Sequence, residues 1–129
     1  MVYDRWIVDS NWRVFRPIVL GAIPAAVRPP IAALARRGIR KQLSGHGIGA
    51  HSKDEIHAIG RRDIAALSDY LGDKPYFMGD TPTETDAIAY GQFANIAKAP
   101  IDSPLKQEIL SRKNLADFID RFHARYYGA

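Results

Sequence analysis

A turn that runs directly into a helix start, Tyr76–Asp86, limits what this chain can fold into more than any other segment. Gly79 and Pro82 are residues that favour a turn. Thr83 is a good residue to cap a helix, because its hydroxyl can accept a hydrogen bond from a free backbone N–H. Asp86 follows three residues later, where its carboxylate can bond back to the N–H of Thr83 and complete a capping box. The segment therefore predicts a firmly fixed helix start, with Thr83 and Asp86 as structural capping residues.

The helix that follows is almost entirely apolar. Between Ala87 and Ala99 the only polar residues are Gln92, Asn95 and Lys98. A helix that is apolar on all sides is typical of the middle of a globular protein. We therefore expect neighbouring helices to bury this central helix around its whole circumference.

Helical periodicity also dominates the rest of the chain. Apolar residues recur at intervals of three and four, and no stretch shows the strict alternation of a β-strand. Pro17 would kink the first helix, Ser52 and Glu55 form a second capping box, and Asn114 is the expected cap of the last helix. The predicted helices cover about 4–20, 29 to the loop at 45–49, 53–71, the central helix, 104–112 and 114–126. The predicted fold is an all-α bundle of five or six helices that spans residues 1–129 as one domain.

Asp63 lies in the middle of the apolar face that periodicity assigns to the helix over 53–71. An ionised carboxylate on such a face is costly unless it is paired or hydrogen-bonded. Two interpretations follow, a ligand-binding or catalytic carboxylate and an internal lock to an Arg, a Tyr or the backbone of a neighbouring helix. We favour the lock, so Asp63 is predicted as a structural buried carboxylate. The predicted face consists of Ile56, Ile59, Gly60, Leu67, Tyr70 and Leu71.

Charge is distributed unevenly along the chain. The stretch from Ser10 to Lys53 has eight Lys or Arg and no Asp or Glu, whereas the rest has ten basic and all fourteen acidic residues. Such a basic stretch can attract an anionic ligand, an acidic partner or anionic lipid. It can equally be the face of a helical domain that meets a partner domain, and the sequence leaves these alternatives open.

Several kinds of site find no support in the sequence. The chain has no Cys, which excludes a disulfide framework and a thiolate nucleophile. The glycine-rich loop at 45–49 has no preceding strand and no Lys-Ser/Thr after it, as a phosphate-binding loop would have. The irregular spacing of His46, His51 and His57 predicts solvated histidines rather than a metal site, and His123 is expected on a polar face.

Membrane-spanning and nucleic-acid-binding functions are also not supported. The longest uncharged apolar run, Pro17–Val27, is too short and too rich in proline to cross a bilayer. The basic stretch has no aromatic residues interleaved on its polar face, so we expect no specific binding of nucleic acid.

The capped turn also resembles a known family. In the C-terminal, all-helical domain of the glutathione transferase superfamily, a Gly-Asp-x-x-Ser/Thr-x-x-Asp segment caps the central buried helix, and Gly79–Asp86 fits that pattern. The segments Leu71–Asp80, Asp102–Leu105 and Lys113–Leu115 are similar to the branch that contains metaxins and failed-axon-connections proteins. The resemblance covers roughly residues 6–126 and implies a glutathione transferase C-terminal-like bundle.

The resemblance implies a candidate binding surface. In that family the first helix of this domain and its neighbour line the pocket for the hydrophobic co-substrate. The corresponding helix here carries Trp6, Trp12, Phe15 and Arg16, which are therefore the candidate ligand-binding residues. Aromatic side chains with nearby cations suit an apolar acceptor that bears some negative charge. Ordinary core packing combined with a domain interface remains the alternative interpretation.

The resemblance also implies what this chain does without. A complete transferase has an N-terminal thioredoxin-like domain that binds glutathione and carries the activating Ser, Tyr or Cys. This sequence has a helical pattern from its first residues and no strand-rich segment, so we expect the thioredoxin-like domain to be absent from this chain. The expectation is therefore no catalytic residue, no metal and no cofactor in this chain, with glutathione bound only when a thioredoxin-like domain is joined to it.

Two functions of different classes remain open. In the first, the chain is the substrate-side domain of a glutathione transferase, which takes an apolar small-molecule electrophile and needs a thioredoxin-like domain or a second subunit for activity. In the second, it is a non-catalytic helical module for dimerisation or partner binding. In both cases we expect a cytoplasmic homo-oligomer.

Overall fold

The computed structural model describes residues 2–128 and contains helices but no extended strand in that range. The predicted all-α fold class is therefore confirmed. The helices are α1 (Val2–Trp6), α2 (Asp9–Leu20), α3 (Arg28–Gly45), α4 (Lys53–Leu71), α5 (Glu84–Ala97), α6 (Pro104–Ser111) and α7 (Lys113–Tyr127), with a short 3₁₀ turn at Ile48–Ala50.

These helices divide between two compact units. The first unit comprises the residues up to Ile56 together with Pro100–Asp102, and the second comprises His57–Ala99 and the residues from Ser103 onward. The first unit therefore contains α1, α2 and α3. The second contains most of α4 and all of α5, α6 and α7.

The first unit packs around a small aromatic and aliphatic core. Trp12, Leu20 and Ala32 are buried there, and Trp6, Phe15 and Ile23 pack against them. The side-chain amide of Asn11 donates a hydrogen bond to the backbone oxygen of Asp102 at 2.9 Å. This bond fixes the short segment 100–102 to the first unit.

The single helix predicted over 4–20 is wrong in one respect. The helical conformation is interrupted at Ile7 and Val8, between α1 and α2. Pro17, in contrast, lies inside α2 and does not end that helix. Pro17 is exposed, so water can hydrate the carbonyl that the proline leaves without its helical donor. The break itself is stabilised because Arg36 donates to the carbonyl oxygens of Trp6 (2.8 Å) and Ile7 (3.0 Å).

The second unit holds the larger core. Its most completely buried aliphatic side chains are Leu71, Ile109 and Leu115, all at most 1% exposed. Phe77 joins the helices through aromatic contacts, edge-to-face with Phe118 at a centroid distance of 5.1 Å and stacked on Phe93 at 6.3 Å. Burial of several large rings accounts for much of the stability of such a small unit.

The expectation that the central helix is buried on all sides is wrong. Tyr90 and Phe93 of α5 face the core, but Ile88 is 64% exposed. After the first turn of α5, its exposed residues are Ala87, Ile88, Gly91, Gln92 and Asn95. Alanine and glycine count as apolar in a sequence pattern but have little surface to remove from water, so their presence does not require burial.

The prediction for Asp63 is also wrong, because this residue is exposed. The buried residues of α4 in the second unit are His57, Ile64, Ser68 and Leu71, whereas Leu67 and Tyr70 are 42% and 56% exposed. The buried face is therefore rotated by about one residue from the predicted one. Burial of Ser68 in place of Leu67 is made possible by a hydrogen bond from its hydroxyl to the side-chain oxygen of Asn114 at 2.8 Å.

Asn114 differs from its predicted role as a helix cap. It lies inside α7, whose N-cap position is occupied by Arg112. Its amide nitrogen donates to the carbonyl oxygens of Ser68 (2.8 Å) and Gly72 (3.2 Å) at the end of α4. The carbonyl of Ser68 also accepts from the backbone N–H of Gly72, so Asn114 adds a second bond there and anchors α7 to the end of α4.

Candidate functional site

The predicted ligand-binding aromatics form one cluster in the first unit. The rings of Trp6 and Trp12 are stacked with centroids 5.0 Å apart, and Phe15 meets Trp6 edge-on at 5.8 Å. Trp12 is buried, at 7% exposure, whereas Trp6 and Phe15 are half-buried. We call Trp6, Trp12 and Phe15 the aromatic cluster. The ring of Trp12 is thus buried, and the other two rings of the cluster are partly accessible.

Two arginines lie over the rings of this cluster. The guanidinium carbon of Arg5 is 5.4 Å from the centroid of Phe15, and that of Arg36 is 5.5 Å from Trp12. Arg36 also forms an ion pair with Asp9 at 2.7 Å. The hydrogen bond and charge of Arg36 hold the pKa of the Asp9 carboxyl below its usual value. Asp9 therefore remains ionised and helps to fix Arg36 over the cluster.

Arg5 and Arg36 are the residues of this site that were not predicted from the sequence, and Arg36 is the more unexpected of the two. Its neighbours Arg37, Arg40 and Lys41 suggest a solvated basic face, but Arg36 points inward, with only 17% of its side chain exposed. A signal was present in the spacing, because Arg36 follows the buried Ala32 by one helical turn. Arg16 is exposed, and among the described residues 2–128 the cation–π contacts with the cluster are made by Arg5 and Arg36.

The aromatic cluster combines apolar ring faces with fixed positive charge and offers little for proton transfer. Ring faces supply apolar contact area, and guanidinium groups are permanent cations that favour negative charge nearby. An apolar molecule in which negative charge develops would suit these groups. Chemistry that needs an acid, a base or a nucleophile would have to draw on groups outside the aromatic cluster.

The capping box is present at the start of α5. The wholly buried carboxylate of Asp86 accepts hydrogen bonds from the backbone N–H of Thr83 at 2.8 Å and from its hydroxyl at 2.9 Å. Asp86 also accepts a bond from the backbone N–H of Phe77 at 2.7 Å, which the sequence did not predict. This third bond closes the turn, where Tyr76 and Gly79 exchange two backbone bonds of 3.1 Å. The role of Asp86 is structural.

A polar cavity of about 360 Å³ lies at the junction of α4 and α7 in the second unit. Lys113 and Asp117 are paired there, and Arg121 donates to the carbonyl oxygen of Pro75 at 2.7 Å. The charged groups at this cavity are thus largely engaged with each other and with the backbone. Its lining consists of Gly72, Asp73, Lys74, Lys113, Asn114, Asp117 and Arg121.

The histidines are placed differently from one another. His46 and His51 are exposed as predicted, but His57 is buried, which corrects its predicted solvation. His123 is half-buried, and its Nδ1 lies 2.6 Å from the hydroxyl of Tyr90. Burial raises the pKa of the Tyr90 hydroxyl. Within residues 2–128 no three or more His, Asp or Glu side chains are grouped so that they could hold a metal ion.

None of the helices in the described part of the chain combines the length and the apolar character that crossing a bilayer requires.

Comparison with known proteins identifies the second unit most directly. Residues 60–122 match the family described as "Glutathione S-transferase, C-terminal domain". This range contains most of α4, the capped turn, α5, α6 and much of α7. The resemblance inferred from the capping segment is thereby confirmed. No solved structure matches the chain.

Three curated relatives illustrate the range of similar proteins. Isoprene-epoxide–glutathione S-transferase of Rhodococcus sp. (strain AD45) is 32% identical over 128 residues, which make up 98% of this chain and 53% of that protein. Failed axon connections of Drosophila melanogaster is 43% identical over 56 residues, or 43% of this chain and 13% of that protein. Metaxin-2 of Mus musculus is 28% identical over 90 residues, or 69% of this chain and 34% of that protein. The chain spans about half the length of the first relative and less of the other two.

Proposed function

We propose that this chain, whose residues 60–122 match the family of glutathione S-transferase C-terminal domains, is the substrate-side domain of a protein of that kind. Its role would be to bind a small apolar electrophile at the aromatic cluster. Glutathione would be held and activated elsewhere, by a thioredoxin-like domain or a second subunit. The chain alone would then not be catalytically competent.

The main support for this proposal is the length of this chain that one relative matches. The isoprene-epoxide–glutathione S-transferase matches 98% of this chain, so the match includes α1 and α2, which carry the aromatic cluster. The metaxin relatives match 55–69% of the chain. A likeness that extends through the cluster-bearing helices favours a transferase role over a role that needs only the second unit.

The chemistry of the cluster fits an electrophile of this class. The rings of Trp6 and Phe15 are partly accessible, so an apolar ligand could contact them. The buried ring of Trp12 stacks on Trp6 and holds it in place. When a thiolate attacks an epoxide, the C–S bond forms as the C–O bond breaks, and the oxygen gains negative charge. Arg5 and Arg36 beside the rings, with Arg16 exposed one helical turn from Trp12, would favour that charge.

A second candidate function is a non-catalytic module for dimerisation or partner binding. Two observations favour it. Trp12 is almost fully buried, so part of the cluster already serves as core packing. The second is the similarity to Metaxin-2 and to Failed axon connections, neither of which is named as a transferase.

The two tryptophans of the chain allow a direct test, because both belong to the aromatic cluster. Tryptophan fluorescence, excited at wavelengths where the six tyrosines absorb little, therefore reports on this site. We expect a non-reactive apolar analogue of an epoxide to change the emission with a saturable dependence on concentration. Glutathione alone should leave the emission unchanged.

Matched variants on α2 separate binding from non-specific quenching. Phe15→Ala should weaken the saturable change about tenfold or more, because it removes an aromatic wall from the site. Ile18→Ala is the control, since Ile18 is on the same helix but 61% exposed and outside the cluster. A linear response equal to that of free N-acetyltryptophanamide would reject the electrophile site and favour the module.

A further inference from the structure

The outward face of α3 combines apolar side chains with cations. Leu34 is 72% exposed, the highest exposure of any large hydrophobic residue in the described chain, and Ile31 is 38% exposed. Arg37 and Lys41 are exposed as well. At the spacing of an α-helix these four residues lie within an arc of about 120°. We call Ile31, Leu34, Arg37 and Lys41 the α3 outer face.

The cations of this face are available to a partner. Arg28 and Arg36, on the same helix, are engaged with backbone carbonyl oxygens of Ile23, Trp6 and Ile7. Arg37 and Lys41 have no hydrogen bond or ion pair within residues 2–128. No acidic residue occurs from Ser10 to Lys53 that could neutralise them locally. The face is therefore an uncompensated positive surface with apolar side chains at its centre.

We infer that the α3 outer face binds the surface of an anionic lipid bilayer. A bilayer surface offers phosphate charge to Arg37 and Lys41, and acyl chains just beneath it to Leu34 and Ile31. Nucleic acid or an acidic peptide would also attract the cations but would gain little from the exposed leucine. The binding is peripheral, with the helix lying along the surface. It does not depend on the substrate-side function proposed above.

Vesicle flotation of the intact chain tests this inference. We expect the chain to float with vesicles that contain phosphatidylglycerol and to remain in solution with vesicles of phosphatidylcholine alone. Binding should weaken as salt rises, because screening reduces the electrostatic attraction. Equal binding to both kinds of vesicle would overturn the inference.

Charge-reversal variants locate the surface. Arg37→Glu with Lys41→Glu should lower the partition coefficient onto anionic vesicles by at least about 30-fold, because each lost cation contributes about fivefold and each new carboxylate is repelled by the vesicle surface. Arg61→Glu with Arg62→Glu is the matched control, since these two arginines are exposed on α4 and should leave binding near the wild-type value. If both pairs weaken binding equally, the site is not on α3. Circular dichroism checks that each variant is folded. If a Glu double variant is unfolded, the corresponding Gln double variant is compared for both pairs instead.

A neutral substitution separates lipid from other anionic partners. Leu34→Gln should lower binding to anionic vesicles several-fold while leaving any binding to polyglutamate or duplex DNA unchanged. This result would assign the leucine to contact with the bilayer. Unchanged vesicle binding by Leu34→Gln, together with equally tight binding to polyglutamate or DNA, would mean that only charge is recognised and would reject the lipid surface.

Discussion

Asp86 makes more contacts than a capping box requires. Its carboxylate accepts from two groups of Thr83 and also from the backbone of Phe77, nine residues earlier. It thus fixes the helix start and the turn before it as one piece. Phe77 is thereby held where its ring can pack between Phe93 and Phe118.

We predict that Asp86→Ala lowers the free energy of unfolding by about 3 kcal/mol or more, since buried donors lose a charged acceptor. Thr83→Ala should cost about 1 kcal/mol, as for other N-caps. Asp80→Ala is the control, because Asp80 is exposed and should change stability by less than about 0.5 kcal/mol. Chemical denaturation measures all three. Equal stability of the Asp86 and Asp80 variants would refute the structural role of Asp86.

A pH effect is expected at the second capping box. Glu55 accepts a hydrogen bond from the backbone N–H of Ser52 at 2.7 Å, and this bond holds the pKa of the carboxyl below its ordinary value of 4.5. A lowered pKa in the folded state means that ionised Glu55 stabilises the fold above pH 4.5, and that this stabilisation is lost as the pH falls through the lowered pKa.

The variant Glu55→Gln tests the predicted direction of this change in stability with pH. Its stability deficit relative to wild type should be present at neutral pH and shrink toward zero in acid, where Glu55 itself becomes neutral. Urea midpoints at a series of pH values provide the measurement. A deficit that grows as the pH falls would contradict the argument.

At the scale of elements, the two capping boxes were predictable from the sequence, but the buried faces of α4 and α5 were not. The capping boxes at Ser52 and Thr83 depend on residues three apart, so the sequence alone specifies them. The buried face of α4 depends on a partner far along the chain, because Asn114 hydrogen-bonds the side chain of Ser68 and so favours its burial over that of Leu67. Periodicity contains no information on such a partner.

The two faces of α5 should respond differently to substitution. Ile88→Gln should change the free energy of unfolding by less than about 0.5 kcal/mol, because Ile88 is 64% exposed. Phe93→Ala should cost about 3–5 kcal/mol, because it leaves a cavity in the core of the second unit. Thermal melts of the two variants compare them directly. A large loss of stability in Ile88→Gln would contradict the exposure of Ile88 and would indicate that α5 is buried on all sides.

At the scale of the whole molecule, the family resemblance predicted the residues of the aromatic cluster but not the contacts of Arg36 that stabilise it. Trp6, Trp12 and Phe15 do come together, because they recur on one side of α1 and α2. The break between these helices and the inward turn of Arg36 depend on each other, since the arginine binds the carbonyls that the break exposes. The one-turn spacing from the buried Ala32 indicates the inward side of α3 for Arg36, but the position of the break has no comparable signature in the sequence.

Self-association remains a prediction of the exposed apolar surface. Because Trp12 is buried, association would use side chains such as Ile18, Leu34 and Ile88, each more than 60% exposed. Contacts between apolar surfaces should persist at high salt, whereas contacts made through the basic stretch should weaken. Sedimentation velocity at low and high salt distinguishes the two. A chain that stays monomeric at high concentration in both buffers would rule out a homo-oligomer.

In the proposed function this chain would bind an electrophile but would not activate glutathione. The most direct test is the rate of conjugation when the purified chain, glutathione and an apolar epoxide are mixed. We predict that product forms at the uncatalysed rate, before and after heat denaturation of the protein, because no activated thiolate is positioned against the electrophile. A rate well above the uncatalysed one that disappears on denaturation would contradict the account and make this chain a complete catalyst.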